Sequence, residues 1–140
     1  MTAQELIRKF VSNLKNIKHI QIHPLGSDFI VGTLEGQVAW FQADLSEKPY
    51  HIMEYHQTKI KSIAYHLSYS LFASASKDGD VLLYHGKVYD DFLQDPLIVP
   101  LNKLKPVNKT PMNDVNSIVF HPKNPWIFTC GSDKVITMWS

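Results

Sequence analysis

Three short apolar stretches, each ending in a histidine, recur along the chain. When His23, His66 and His121 are aligned, an acidic residue follows each histidine by 12 positions and an aromatic residue follows it by 18. Such self-similarity at a regular spacing is typical of repeat architectures. The apolar stretches predict one β-strand per repeat, which we label strand a, at residues 17–22, 60–65 and 115–120.

Two further strands are expected after each histidine. Strand b is predicted at 28–33, 71–76 and 126–131, and strand c at 37–42, 81–85 and 135–139. Between them lie Glu35-Gly36 and Asp78-Gly79, where glycine readily takes the positive φ that a two-residue hairpin needs. The third repeat has Asp133-Lys134 there, which is a weaker turn signal.

Outer strands, labelled d, are expected at 6–11, 50–54 and 97–104. The three histidines are 43 and 55 residues apart, and four short antiparallel strands at this spacing are typical of propeller blades. We therefore treat residues 1–140 as one domain with repeats at about 12–54, 55–104 and 111–140.

Strands b and c carry apolar residues on both faces, as in Val81-Leu82-Leu83-Tyr84, which favours a sheet enclosed between neighbouring blades. The predicted fold is all-β, a partial β-propeller of three four-stranded antiparallel blades. Propellers have about four to eight blades, so we expect three blades to be part of a larger ring. We also expect the isolated chain to self-associate, two molecules exchanging segments 6–11 and 135–139 to form a six-bladed ring.

Composition and charge exclude several classes of protein. The formal charge is +1, so no overall field draws the chain to nucleic acid or a membrane. No apolar run approaches the roughly 18 residues of a membrane span. The single Cys130 and the absence of a signal-like start favour a reducing compartment.

The sequence predicts no catalytic, cofactor or metal site. No metal-binding helix motif, Cys-x-x-Cys pair, nucleophile elbow or phosphate-binding glycine loop is present. The three aligned histidines occupy equivalent strand ends, as structural residues do. Asp90-Asp91 suggests a cation site, but solvated or turn-capping carboxylates are the preferred interpretation.

An insertion at 86–114 separates the second and third repeats and is rich in apolar residues. Loops of this length are often functional, so it is the candidate partner-binding segment, with residues Tyr89, Asp90, Asp91, Phe92, Leu93, Pro96 and Leu97. The alternative is a loop that only covers a sheet edge.

Lys103, Lys105 and Lys109 are candidate RNA-facing residues, or else part of a solvated face.

The second repeat resembles the WD-repeat family. His56, Ser74, Asp78 and Tyr84 stand where that family has a structural hydrogen-bond tetrad, with tyrosine in place of the usual tryptophan. The resemblance implies a buried polar network that fixes the blade. The other repeats depart from the pattern, at Asn13 and Val31 and at Pro111 and Thr129, and their networks are expected to be incomplete.

A more specific resemblance covers the whole chain. The stretch YHGKVYDDFLQDPLIVPL at 84–101 is similar to the eukaryotic ribosome biogenesis family called block of proliferation. Further similar stretches are IHPLGSD at 22–28, KPY at 48–50, LFASASKDG at 71–79 and VFHPKNPW at 119–126. Residues 105–111 differ from that family, which tends to have a Gly-His pair there.

This resemblance implies a seven-bladed propeller in a nuclear, nucleolar protein. It implies a complex with pescadillo and a second WD-repeat protein that matures the large ribosomal subunit and its precursor RNA, without chemistry or cofactor. The alternative is a generic WD-repeat adaptor unrelated to ribosomes. A propeller enzyme would need polar residues at the inner ends of strand a, where Ile, Val and Ser predominate.

Overall fold

The fold consists of β-strands joined by turns and loops. The computed structural model describes residues 5–89, 94–105 and 114–140. Within them the strands are β1 (Ile17–Ile22), β2 (Asp28–Thr33), β3 (Val38–Gln42), β4 (His51–Met53), β5 (Ile60–Tyr65), β6 (Leu71–Ser76), β7 (Val81–Lys87), β8 (Leu97–Leu104), β9 (Val115–Phe120), β10 (Ile127–Gly131) and β11 (Ile136–Trp139).

The strands form three antiparallel sheets, which we call blades. Blade 1 has the order β1-β2-β3-β4, blade 2 has β5-β6-β7-β8, and blade 3 has β9-β10-β11. Within each blade, every strand thus pairs with the strand that precedes it in the sequence, as in a β-meander. The predicted a strands are confirmed at both ends in all three blades, and the b and c strands agree to within one or two residues.

The turns between strands b and c follow the glycine pattern. Gly36 and Gly79 have φ of 83° and 87°, as predicted for these hairpins. In blade 3, Lys134 takes a φ of 63° in the same position, although it carries a Cβ. The hairpin geometry is therefore kept in all three blades, at a backbone cost in the third.

Two of the three expected outer strands are present. Strand β8 matches the predicted 97–104, and β4 lies within the predicted 50–54. Pro100 falls in β8 beside the register shift opposite Leu83 and Tyr84, where a missing N–H donor is tolerated. In the described part of the chain, blade 3 has three strands, and β11 pairs with β10 alone.

The strand predicted at 6–11 is wrong. These residues form no strand, because none of the described strands lies beside them to supply backbone hydrogen bonds. The segment instead covers blade 1: the Phe10 ring meets Phe29 and Phe41 edge-on, with centroids 5.1 and 6.0 Å apart. The other apolar residues of the segment do not share this packing, since Leu6, Ile7 and Val11 are 84%, 96% and 66% exposed. The exchange of 6–11 between molecules stays a prediction.

The core lies between blades. One cluster joins Ile30, Val38 and Trp40 of blade 1 to Ile60 and Phe72 of blade 2. A second joins Ala73, Ala75 and Val81 of blade 2 to Val115 and Ile118 of blade 3. Blade 2 therefore buries both faces, which explains why its strands are apolar throughout.

Candidate functional site

Three of the four predicted tetrad residues meet inside blade 2. His56 Nε2 lies 2.7 Å from Ser74 Oγ, which lies 3.2 Å from the Tyr84 hydroxyl. His56 comes from the loop before β5, whereas the other two lie on β6 and β7. Ser74 and Tyr84 have no exposed surface and His56 is 8% exposed. The contacts tie the entering loop to the two central strands.

Asp78 lies beside this network without bonding to His56. Its carboxylate accepts hydrogen bonds from the Ser76 hydroxyl and from the Asp80 backbone N–H. Burial opposes ionisation of Asp78, but these bonds and the charges of His56 and Lys103 leave its pKa lowered. Asp78 thus orders the hairpin turn, and the predicted four-residue tetrad is a three-residue chain in this blade.

The network is uncharged near neutral pH. Burial lowers the pKa of His56 to about 4 and raises the pKa of Tyr84 to about 12. Neither group exchanges a proton between these values. The arrangement is suited to fixing the blade and not to acid–base catalysis.

The three repeated histidines cap the turns between strands a and b. Nδ1 of His66 accepts from the backbone N–H groups of Ser68 and Tyr69 at 2.9 and 3.0 Å. Nδ1 of His23 and of His121 accept turn N–H groups in the same way. Their structural role, expected from the spacing, is visible in these bonds.

Two of these histidines, His23 and His66, also connect blades. His66 Nε2 donates to the carbonyl oxygen of Asn124 in blade 3, at 2.8 Å, since its Nδ1 is already an acceptor. Its ring meets Phe120 at 5.4 Å, and that of His23 meets Tyr65 at 5.1 Å. His23 and His66 therefore each pack on the aromatic residue that ends the next strand a.

Blade 1 has a different polar contact. Trp40 Nε1 donates to the buried Asp28 carboxylate at 2.7 Å. Val31, where the tetrad serine would fall, lies in an apolar cluster with Ala39 and Phe41. This agrees with the expected departure from the WD pattern in the first repeat.

The insertion after β7 reaches back to blade 1. The Tyr50 hydroxyl donates to the Pro96 carbonyl at 3.5 Å, and Tyr89 and Pro96 line a small cleft of about 60 Å³ with Asp28 and Leu45. Leu97 begins β8 and is 45% exposed. Asp90, Asp91, Phe92 and Leu93, including the weighed cation site, lie outside the described residues.

The structure describes two of the three predicted basic residues, Lys103 and Lys105. Lys103 Nζ lies 2.7 Å from Oδ2 of the buried Asp80, so its charge is paired with a carboxylate of its own blade. Lys105 is exposed at the end of β8, and Lys109 lies outside the described residues. Sequence reasoning missed this ion pair because it joins residues 23 positions apart on β8 and the b–c turn.

A pair of lysines lies at equivalent positions of β1 and β5. Lys18 and Lys61 each precede the aligned histidine by five residues. The pKa of His19 is lowered by burial and by the positive charges of both. These lysines therefore create a positive potential along the first strands of blades 1 and 2, which the repeat alignment contained but did not single out.

An apolar cleft lies between the a–b turns of blades 1 and 2. It encloses about 160 Å³, and we call it the turn-side cleft, lined by Leu25, Leu67, Tyr69, Lys87 and Val88 above His23 and Tyr65. Leu25, Leu67 and Tyr69 are 62%, 69% and 47% exposed. Sequence analysis missed it, although leucine and tyrosine at turn tips were a usable signal.

The described ranges contain no candidate for a metal site or a membrane-spanning helix. No group of three His, Cys, Asp or Glu side chains there is placed to hold a metal ion. No helix in these ranges is long and apolar enough to cross a membrane. Cys130 is exposed on β10.

Comparison with known families agrees with this geometry. The family model described as "WD domain, G-beta repeat" matches residues 47–85 and 104–140. These ranges include His56, Ser74, Asp78 and Tyr84, and the three strands of blade 3.

The chain is also similar over its whole length to curated proteins. It is 44% identical over 140 residues to the "Ribosome biogenesis protein BOP1 homolog" of Drosophila yakuba, 45% to that of Drosophila grimshawi and 43% to that of Drosophila melanogaster. The chain spans 18% of the length of each.

A solved structure supports the fold. Raptor from Chaetomium thermophilum superposes with a TM-score of 0.73 over 96% of this chain and 12% of that protein, at 13% identity. At this identity the likeness concerns the arrangement of strands alone.

Proposed function

The chain belongs to the WD-repeat family, and we propose from this premise that it is part of a non-catalytic scaffold that builds the large ribosomal subunit. One observation carries the proposal: about 44% identity to proteins named for ribosome biogenesis extends over all 140 residues. The aligned region includes the 86–114 insertion, which a generic WD repeat does not require. A common function is therefore favoured over a common fold alone.

Binding, and not chemistry, is the activity that the polar groups support. The buried network of His56, Ser74 and Tyr84 is inaccessible to a substrate, and the repeated histidines are engaged by turn N–H groups. What remains accessible is surface: the turn-side cleft, the insertion and the exposed lysines. The chain would act by holding components of a particle together.

The proposed setting is the nucleolus and nucleoplasm, in a complex with a pescadillo-type protein and a second WD-repeat protein. The relatives' name supports ribosome assembly in general, and these partners are the finer proposal. The insertion is one candidate contact, because Leu97 is exposed and Tyr89 is partly exposed, while Tyr89 and the buried Pro96 line a cleft together with residues of blade 1.

Contact with precursor RNA is proposed at the lysines of β1 and β5. Lys18 and Lys61 lie on neighbouring blades, both near enough to His19 to lower its pKa, and Lys105 is exposed beyond β8. Phosphate binding depends on several such cations and weakens with salt. Lys103 contributes less than its sequence position suggested, since Asp80 holds it.

Depletion of the protein from growing cells tests the proposal. Pulse labelling of ribosomal RNA after depletion should show loss of mature large-subunit RNA, with small-subunit RNA formed normally. A wild-type transgene is the control and should restore the large-subunit RNA. Normal production of both RNAs without the protein would contradict the proposal and leave a generic WD-repeat adaptor.

A further inference from the structure

The turn-side cleft has the form of a side-chain receptor. The strands are antiparallel, so the a–b turns and the end of β7 lie on the same side of the blades. Leu25 projects from the turn of blade 1, Leu67 and Tyr69 from that of blade 2, and Lys87 ends β7. The volume of about 160 Å³ is below the roughly 300 Å³ of typical small-molecule pockets. It is suited to a side chain of a macromolecular partner.

The cleft lies between two blades that the structure describes. Blades 1 and 2 pack against each other there through a shared apolar cluster, so the apolar lining does not belong to an unpaired blade face. Leu25 and Leu67 belong to none of the core clusters. The corresponding turn of blade 3 has Pro122, Lys123 and Asn124 instead. The fold therefore does not require apolar turn tips, and exposed apolar groups gathered at one place typically mark a contact surface.

Hydrogen bonds and a ring contact fix the blade 2 turn that forms one wall of the cleft. His66 receives two hydrogen bonds from its turn and donates one to Asn124 of blade 3. The Tyr69 ring lies edge-on to the His66 ring, with centroids 4.8 Å apart. A preformed site loses little conformational entropy on binding, which favours affinity from a small contact area.

The charge at the rim of the cleft indicates which kind of partner segment can bind there. Lys87 is exposed and is one of the residues that line the cleft, and its Nζ lies 5.0 Å from the centre of the neighbouring Tyr89 ring. An apolar pocket beside a single cation matches an apolar side chain with a carboxylate near it. RNA is disfavoured, because phosphate binding depends on several cations and Lys87 is the one lysine among the residues that line the cleft.

We propose that the turn-side cleft binds a segment of a protein partner in which a leucine or aromatic side chain is flanked by aspartate or glutamate. The apolar side chain enters between Leu25 and Tyr69, and the carboxylate pairs with Lys87. This rests on the proposed scaffold function and specifies one of its protein contacts.

Site-specific photocrosslinking in the full-length protein tests the assignment. Tyr69 is replaced by p-benzoylphenylalanine, cells are irradiated, and the crosslinked peptide is identified by mass spectrometry. The expected product is a protein segment with an acidic residue within about four positions of the crosslinked apolar residue. Lys87→Glu should lower the yield about tenfold. Lys123→Glu, on the same side but in the blade 3 turn, should leave it unchanged.

Three results would overturn the proposal: a crosslink to RNA, a crosslink to a second copy of this protein, or no crosslink. Hydrogen exchange of β6, unchanged between variants, shows that blade 2 remains folded. Cosedimentation with large-subunit precursors is scored in the same cells. Cosedimentation without the crosslink contradicts the cleft assignment alone. The expected crosslink without cosedimentation supports the cleft and contradicts the ribosomal function.

Discussion

Ser74 is the residue on which the blade 2 network depends. Its hydroxyl contacts both His56 and Tyr84, and all three side chains are buried. Ser74→Ala would leave two buried polar groups without a partner, so we expect the free energy of unfolding to fall by about 1–3 kcal/mol. Urea denaturation followed by tryptophan fluorescence measures this change. Ser68→Ala, at an exposed turn position, is the matched control and should change it little.

His56 predicts a dependence of stability on pH. Its pKa falls from the usual 6.5 to about 4 in the folded protein, mainly through burial. The unfolded chain therefore binds the proton first as pH drops below about 6.5, and folding loses roughly 3 kcal/mol by about pH 4. Unfolding curves across this range should converge for the wild type and His56→Asn at low pH. Parallel curves would show that His56 is not the group responsible.

At the residue scale, the sequence predicted the positions of the network residues better than it predicted their hydrogen-bond and ion-pair partners. The repeat alignment located His56, Ser74 and Tyr84 because each occupies a fixed distance from strand a. It did not predict that Asp78 bonds to Ser76, or that Asp80 pairs with Lys103. Those pairs depend on which side chains neighbouring strands bring together, and spacing along the chain does not contain that information.

At the scale of elements, Lys103 secures the outer strand β8 to its blade. Asp80 is 6% exposed, and its Oδ1 finds no hydrogen-bond donor within the described ranges. Lys103→Met removes the cation from a buried carboxylate, and we expect a loss of about 1–3 kcal/mol, measured by urea denaturation. Adding Asp80→Asn should recover part of it. Lys105→Met serves as the control, because Lys105 is exposed and directly follows the end of β8. An equal loss of unfolding free energy in this variant would contradict the role of Lys103.

Elements were predictable where a partner strand lies within the same repeat. Strands β5 and β8 agree with the predictions because β5 meets β6 and β8 meets β7 within a short stretch of chain. Residues 6–11 have an equally apolar pattern, yet Phe10 packs on Phe29 and Phe41. The local sequence pattern predicts which segments are apolar, but a β-strand also needs a neighbouring strand to form backbone hydrogen bonds.

At the scale of the whole molecule, the two outer blade faces are apolar and exposed. Ile20 and Ile22 of blade 1 are 61% and 65% exposed, and Val119, Ile136 and Met138 of blade 3 are 55%, 77% and 55% exposed. Positions equivalent to the blade 3 residues, Ala64, Val81 and Leu83, pack between blades 2 and 3. The two faces thus resemble the two halves of an interblade contact.

The 140-residue chain in isolation is therefore expected to self-associate through these faces, head to tail. Light scattering at micromolar concentration should give a mass well above 16.0 kDa. Ile136→Lys with Met138→Lys should shift it toward the monomer, whereas Leu45→Lys, an exposed loop position, should not. A folded wild-type monomer would rule out this association.

The most direct test of the scaffold function is to tag the endogenous protein at its C-terminal end, purify it gently from growing cells, and identify its companions by mass spectrometry. We predict large-subunit precursors together with a pescadillo-type protein and a second WD-repeat protein. Recovery of the tagged protein without ribosomal precursors would contradict a role in ribosome assembly, whatever other proteins accompany it.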